Sequence, residues 1–150
     1  MDKNEILNSD YDVRVSVAEN PSTPADVLTE LAKDRDWYIR SYAAGNPNML
    51  VDVLTELSKD SDYIVRSFVA MNPNTPAEAL TKLAKDSDWY VRCFAARNPN
   101  MPADVLRELA KDRDWRVRMS VAHNPATSID VLIELSKDED DRVVSRMVGK

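Results

Sequence analysis

The chain has 150 residues, 43% of them hydrophobic, with two glycines and a net charge of −6. That is enough apolar material for a core, but two glycines are too few for a turn-rich β protein. The acidic balance argues against binding nucleic acid or anionic membranes through a general basic field. A single cysteine, Cys93, excludes an internal disulfide and a cysteine-ligated zinc or iron–sulfur site within one chain.

In chain order, residues 1–19 form an N-terminal half-repeat cap. Met1 to Asn8 offers only Ile6 and Leu7 as apolar anchors, so a short or frayed segment is expected there. Asp10-Tyr-Asp-Val-Arg-Val-Ser-Val-Ala then matches the second half of a recurring unit. Asn-Pro opens that unit at Asn20, Asn46, Asn72, Asn98 and Asn124, 26 residues apart each time. The repeats are therefore 20–45, 46–71, 72–97 and 98–123, with a C-terminal capping repeat at 124–150. Self-similarity at such a period marks a solenoid, so 1–150 is one repeat domain.

Each unit predicts two helices. Thr23-Pro24-Ala25-Asp26 has a hydroxyl N-cap followed by proline at the first helical position. In the third repeat Thr75 and Glu78 complete the pattern of a capping box. Val27, Leu28 and Leu31 follow at helical spacing, as do their equivalents in every later unit. Asp36 is the expected N-cap of a second helix, Trp37 to Ala44, too short to be stable without packing. The next Asn-Pro ends it, because the residue before proline is pushed out of the helical region. In the last unit Asp141 stands where the others have an aromatic, and Val144 where they have arginine. Terminal repeats of a solenoid depart from the consensus in this way.

The pattern Asn-Pro-x-Thr-Pro-x-x-Val-Leu-x-x-Leu-Ala-x-Asp-x-Asp-Trp-x-Val-Arg-x-x-Val-Ala resembles the leucine-rich repeat variant, and more widely the HEAT-like and armadillo-like repeats. The resemblance runs from about Asp10 to Val148. It implies an all-α fold, a right-handed α–α superhelix of about five helical hairpins, with the second helices on the concave side. Two departures accompany it. The unit is slightly longer than the family's usual repeat, which suggests that both helices are regular α-helices. The cysteine cluster of an iron–sulfur member is absent, so no cofactor is carried over.

Three ladders follow from the period. Asp36, Asp62, Asp88 and Asp114 lie four residues before Arg40, Arg66, Arg92 and Arg118, placing them to pair within a unit or with the next one. Asn20, Asn46, Asn72, Asn98 and Asn124 are suited to satisfying backbone groups left open at helix ends. Tyr11, Trp37, Tyr63, Trp89 and Trp115 open the second helices, either as packing between units or as a rim that touches a ligand.

Positions that recur are explained by stacking, so function is sought where units differ. Tyr38, Tyr42, Ile64, Phe68, Met71, Tyr90, Phe94, Arg97, Arg116 and His123 form one such stripe across the second helices. Tyrosine, phenylalanine, methionine and arginine are the residues that binding hot spots favour. The competing reading is that Tyr42, Phe68 and Phe94 pack between neighbouring helices. No catalytic pairing, phosphate loop or metal spacing is present in the sequence. The expectation is a non-enzymatic, cytoplasmic interaction module that binds a protein or peptide on this stripe, with no nucleic acid, membrane or metal, as a monomer or weak homodimer. The alternatives are a HEAT-like nucleic-acid-binding protein, favoured if Arg40, Arg97, Arg116 and Arg118 cluster exposed, and a self-associating structural module.

Overall fold

The computed structural model describes residues 2–147, with side chains as far as Ser145. Met1 of the N-terminal cap, and Val148, Gly149 and Lys150 of the C-terminal capping repeat, lie outside the described residues. The described residues form twelve α-helices and no strand, in six successive hairpins. The first helices are α1 (Lys3–Leu7), α3 (Ala25–Leu31), α5 (Val51–Leu57), α7 (Ala77–Leu83), α9 (Ala103–Leu109) and α11 (Ile129–Leu135). The second helices are α2 (Tyr11–Glu19), α4 (Trp37–Gly45), α6 (Tyr63–Met71), α8 (Trp89–Arg97), α10 (Trp115–His123) and α12 (Asp141–Met147). None of these helices is long and apolar enough to cross a membrane.

The core lies between the two rows of helices. Leu28, Leu54, Leu80 and Leu106 come from the first helices, and Ile39, Val65, Val91, Val117 and Val143 from the second, all essentially inaccessible to solvent. Small side chains at Ala18, Ala44, Ala70, Ala96 and Ala122 let adjacent second helices approach closely. Each second helix packs extensively on the next, from α2 through to α12, whereas most first helices touch chiefly their own hairpin partner. Close spacing on one side and wide spacing on the other bends the stack, so the second helices line the inner face.

The second helices start as the sequence predicts. The carboxylates of Asp36, Asp62, Asp88 and Asp114 accept from the backbone N–H two residues on, which satisfies an orphan donor of the first turn. The first helices start differently. Pro24 and Pro76 occupy the cap position without any side-chain cap bond. The hydroxyls of Thr23, Thr75 and Thr127 instead donate backward, to the carbonyls of Val17, Val69 and Val121 at 2.5–2.7 Å. Those carbonyls sit in the last turn of the preceding helix, where intrahelical partners have run out. Glu78 does not close a capping box; it pairs with Lys82 at 2.8 Å.

The arginine ladder is offset from the expected one. Each arginine reaches over to the following hairpin and takes the aspartate twenty residues ahead: Arg14 with Asp34, Arg40 with Asp60, Arg66 with Asp86, Arg92 with Asp112, and Arg118 with Asp138, at 2.6–2.8 Å. The same guanidinium closes its own hairpin, since Arg66 also donates to the carbonyls of Asp60 and Ser61. The offset has a geometric reason: the acid four residues back is already committed to capping its helix. Burial alone would push the Asp60 and Asp86 carboxyls up. The arginine hydrogen bond and the N–H of Asp62 or Asp88 outweigh it, so both lie below their ordinary value.

The asparagine ladder bridges units as expected. Asn72 donates through its amide to the carbonyls of Ala44 and Asn46, and accepts from the N–H of Asn74. Asn46, Asn98 and Asn124 donate in the same way to the preceding hairpin. Asn48, Asn74 and Asn100 extend the bridge to the carbonyls of Pro21, Pro47 and Pro73.

Candidate binding face

The aromatic that opens each of α2, α4, α6, α8 and α10 lies outside the fully buried core, although Trp89 and Trp115 pack against it. Tyr11, Trp37 and Tyr63 are 42–43% exposed, and Trp89 and Trp115 are half-buried. Four of the five, Tyr11, Tyr63, Trp89 and Trp115, meet the residue 27 positions on in the next unit. Tyr38 covers Tyr11 with ring centroids 6.5 Å apart, and Tyr90 covers Tyr63 at 6.3 Å. Further along the rings are covered by cations. The Arg116 guanidinium lies 3.7 Å from the centroid of Trp89, and that of Arg142 lies 3.7 Å from Trp115, a separation suited to cation–π attraction. Asp114 and Asp140 hold these two guanidiniums in place through paired hydrogen bonds.

A second row runs parallel to the first. Tyr38 and Tyr42 stack at 4.7 Å with their hydroxyls 3.0 Å apart, and Tyr42 meets Phe68 at 5.6 Å. The hydrogen bond to Tyr38, then burial, then Glu19, pushes the Tyr42 phenol up to about 12, so it carries no titration near neutrality. Gly45 lies under the Phe68 ring, leaving no room for a side chain there. In the next hairpin Tyr90 packs on Phe94 at 4.8 Å. The row of rings then stops, because the next equivalent residue is the buried Ser120.

The missing ring leaves a groove between α8 and α10 of about 300 Å³. Its walls are mainly apolar, with Trp89, Phe94, Trp115 and Met119 around Cys93 and Ser120, and Arg97 and Arg116 on the rim. Burial pushes the Cys93 thiol up, against a smaller opposing effect of a hydrogen bond with Ser120. It is therefore a protonated packing group and not an activated nucleophile. His123 is exposed at the end of α10, and its Nδ1–H donates to the carbonyl of Met119 at 2.7 Å. Among the described residues no three His, Cys, Asp or Glu side chains converge as a metal site.

Of the ten stripe residues, Met71, Arg97 and His123 are exposed and the other seven are half-buried. Tyr42, Phe68 and Phe94 both pack against the core and keep exposed edges. Arg40 and Arg118 are removed from the surface by the ladder, so the exposed four-arginine cluster that would favour nucleic acid does not form. Sequence reasoning missed the pairing of ring and cation 27 residues apart. Its signal was the alternation of Tyr, Ile and Arg one residue after each recurring aromatic from Trp37 onward.

Against known proteins, a family profile described as leucine rich repeat variant matches residues 11–36 and 89–114. Among solved structures the chain is similar to "a leucine-rich repeat variant with a novel repetitive protein structural motif", with 30% identity and a TM-score of 0.72. The match covers 97% of this chain and 57% of that one, so the chain spans a little over half the length of that protein. An engineered protein is similar in fold alone, with 21% identity, a TM-score of 0.60, and 97% and 92% of the two chains covered. No curated protein matches. The resemblance to the leucine-rich repeat variant and the helical repeat fold thus rest on both sequence and structure.

Proposed function

We propose that this helical repeat chain, similar to the leucine-rich repeat variant, is a non-enzymatic scaffold that holds a protein or peptide against its second helices. One observation carries the reading: the inner face is aromatic where units differ, and an apolar groove opens in it beside Arg97 and Arg116. The ladders account for the recurring Asp, Arg and Asn residues without any ligand, whereas half-exposed Tyr38, Phe68, Tyr90 and Phe94 offer rigid contact area of the kind interfaces use. A cytoplasmic setting fits the single reduced cysteine.

Selection of phage-displayed peptides on the chain tests the proposal. The inner-face variant carries Tyr90→Glu with Phe94→Ser, and the outer control carries Glu56→Lys with Glu108→Lys. Circular dichroism and a urea melt establish that each is folded. Selected peptides should bind the native chain and the outer control and be lost on the inner-face variant. Indifference to that variant, or an empty selection, overturns the proposal. Should Tyr90→Glu with Phe94→Ser not fold, Met71→Glu with Arg97→Glu makes the same test at exposed positions.

A further inference from the structure

Arg97 separates two apolar hollows. On one side is the groove between α8 and α10, and on the other a smaller space of about 190 Å³ beside Met71 and Pro99. Phe94 and Arg97 line both. The two cations further along the inner face are neutralised within their own turn, Arg116 by Asp114 and Arg142 by Asp140, with paired hydrogen bonds of 2.6–2.9 Å. Arg97 has no carboxylate partner among the described residues and is exposed. In a chain of net charge −6, an uncompensated guanidinium between two apolar hollows is a local reversal of sign.

We infer that the inner face recognises an extended peptide segment carrying one carboxylate between two large apolar side chains. This rests on the inner-face reading above and specifies the partner's chemistry. The carboxylate takes the Arg97 guanidinium, which presents a fork matched to two carboxylate oxygens. The apolar side chains enter the two hollows.

Spacing supports an extended segment. The hollows lie in successive gaps between second helices, about 8–10 Å apart, and are offset along α8 by roughly one turn, about 5–6 Å. The diagonal is roughly 11 Å. Residues i, i+2 and i+4 of a strand share one face and span about 13 Å. The sequence apolar-x-acid-x-apolar therefore brings its carboxylate to the middle, where Arg97 stands. Occupancy of the hollows excludes water from the rim and strengthens the ion pair relative to an open surface.

The test uses three fluorescein-labelled peptides with Gly-Ser flanks, whose cores are Phe-Ser-Asp-Ser-Leu, Phe-Ser-Asn-Ser-Leu and Phe-Ser-Lys-Ser-Leu, titrated by anisotropy. The acidic peptide should bind the native chain about ten-fold more tightly than the amide, about 1.4 kcal/mol, with the lysine peptide weakest. The acid-over-amide preference should shrink as salt is raised. Arg97→Gln should abolish the preference, and Arg97→Glu should invert the order of acid and lysine. If acid and amide bind within two-fold of each other, or the order survives Arg97→Glu, the carboxylate assignment is wrong while groove binding stands. If none of the three binds, this assignment fails, and the phage selection separately decides the wider reading.

Discussion

Removing one arginine of the ladder should cost far more than an ion pair on an open surface. Arg66 donates to Asp86 through Nε at 2.6 Å and through its second terminal nitrogen at 3.0 Å, and its other terminal nitrogen donates to the carbonyls of Asp60 and Ser61. The side chains of Arg66 and Asp86 are only 15% and 9% exposed. Arg66→Met keeps the apolar stem but leaves the Asp86 carboxylate with the N–H of Asp88 and two turn carbonyls without their donor. Breaking a buried pair in this way costs about 3–5 kcal/mol, a large part of the ~5–15 kcal/mol that holds a domain together. Urea unfolding followed by circular dichroism gives the loss. The double variant Arg66→Met with Asp86→Ala should recover about 2 kcal/mol relative to the sum of the singles, since the stranded charge is gone. Lys82→Met, which breaks the exposed pair with Glu78, serves as control and should not move the midpoint. A loss below about 1 kcal/mol for Arg66→Met, or single effects that add within about 0.5 kcal/mol, would refute the argument.

Three further outcomes follow from the same geometry. Asn72→Ala removes three hydrogen bonds at a buried junction and should cost about 2–4 kcal/mol; amide exchange should quicken around residues 44–49 and stay unchanged in the last hairpin. Gly45→Ala would place a Cβ 2.8 Å from the Phe68 ring and should destabilise by about 1 kcal/mol, whereas in a Phe68→Ala background the same change should stabilise by about 0.5–1 kcal/mol; a sign that does not reverse in thermal melts counts against the contact. The carboxyls of Asp60, Asp86, Asp114 and Asp138 lie below their ordinary value, so the unfolded chain binds more protons and stability rises with pH. Their contribution is complete above the unfolded carboxylate value of about 4 and is lost as pH falls through the lower folded values. Acid unfolding of Arg66→Met should begin at higher pH than in the native chain, and coincident acid transitions would contradict this.

The period and the fold were open to reading because Asn-Pro, Asp and the leucines recur in register, and each recurrence has a local cause in a cap, a break or a buried face. The phase of the arginine ladder was also present, in the count of its members. Arginine stands at 14, 40, 66, 92 and 118 and its aspartate at 34, 60, 86, 112 and 138, while Asn8 replaces the aspartate one unit earlier. That offset already points each arginine at the following hairpin. Helical spacing within a unit suggested Asp36 as the partner instead. The threonines failed for a related reason: Thr-Pro fits a helix start, yet the free carbonyls of the preceding helix make the stronger claim on the hydroxyl. The groove had no local signature. It exists because Ser120 follows Tyr42, Phe68 and Phe94 at one position of the stack, a relation visible only when units are set side by side in space.

Every ladder rung and every substantial helix contact joins residues of the same or adjacent hairpins. A growing polypeptide can therefore complete each interface as soon as the next hairpin leaves the ribosome, without waiting for distant sequence. At about 5–20 residues per second, one unit of 26 residues emerges in about 1–5 s, far longer than helix formation and local collapse require. The nascent chain then carries one unfinished surface at a time, always at its youngest end. A stalled or shortened product would be a shorter stack of the same kind, with its earlier hairpins already closed.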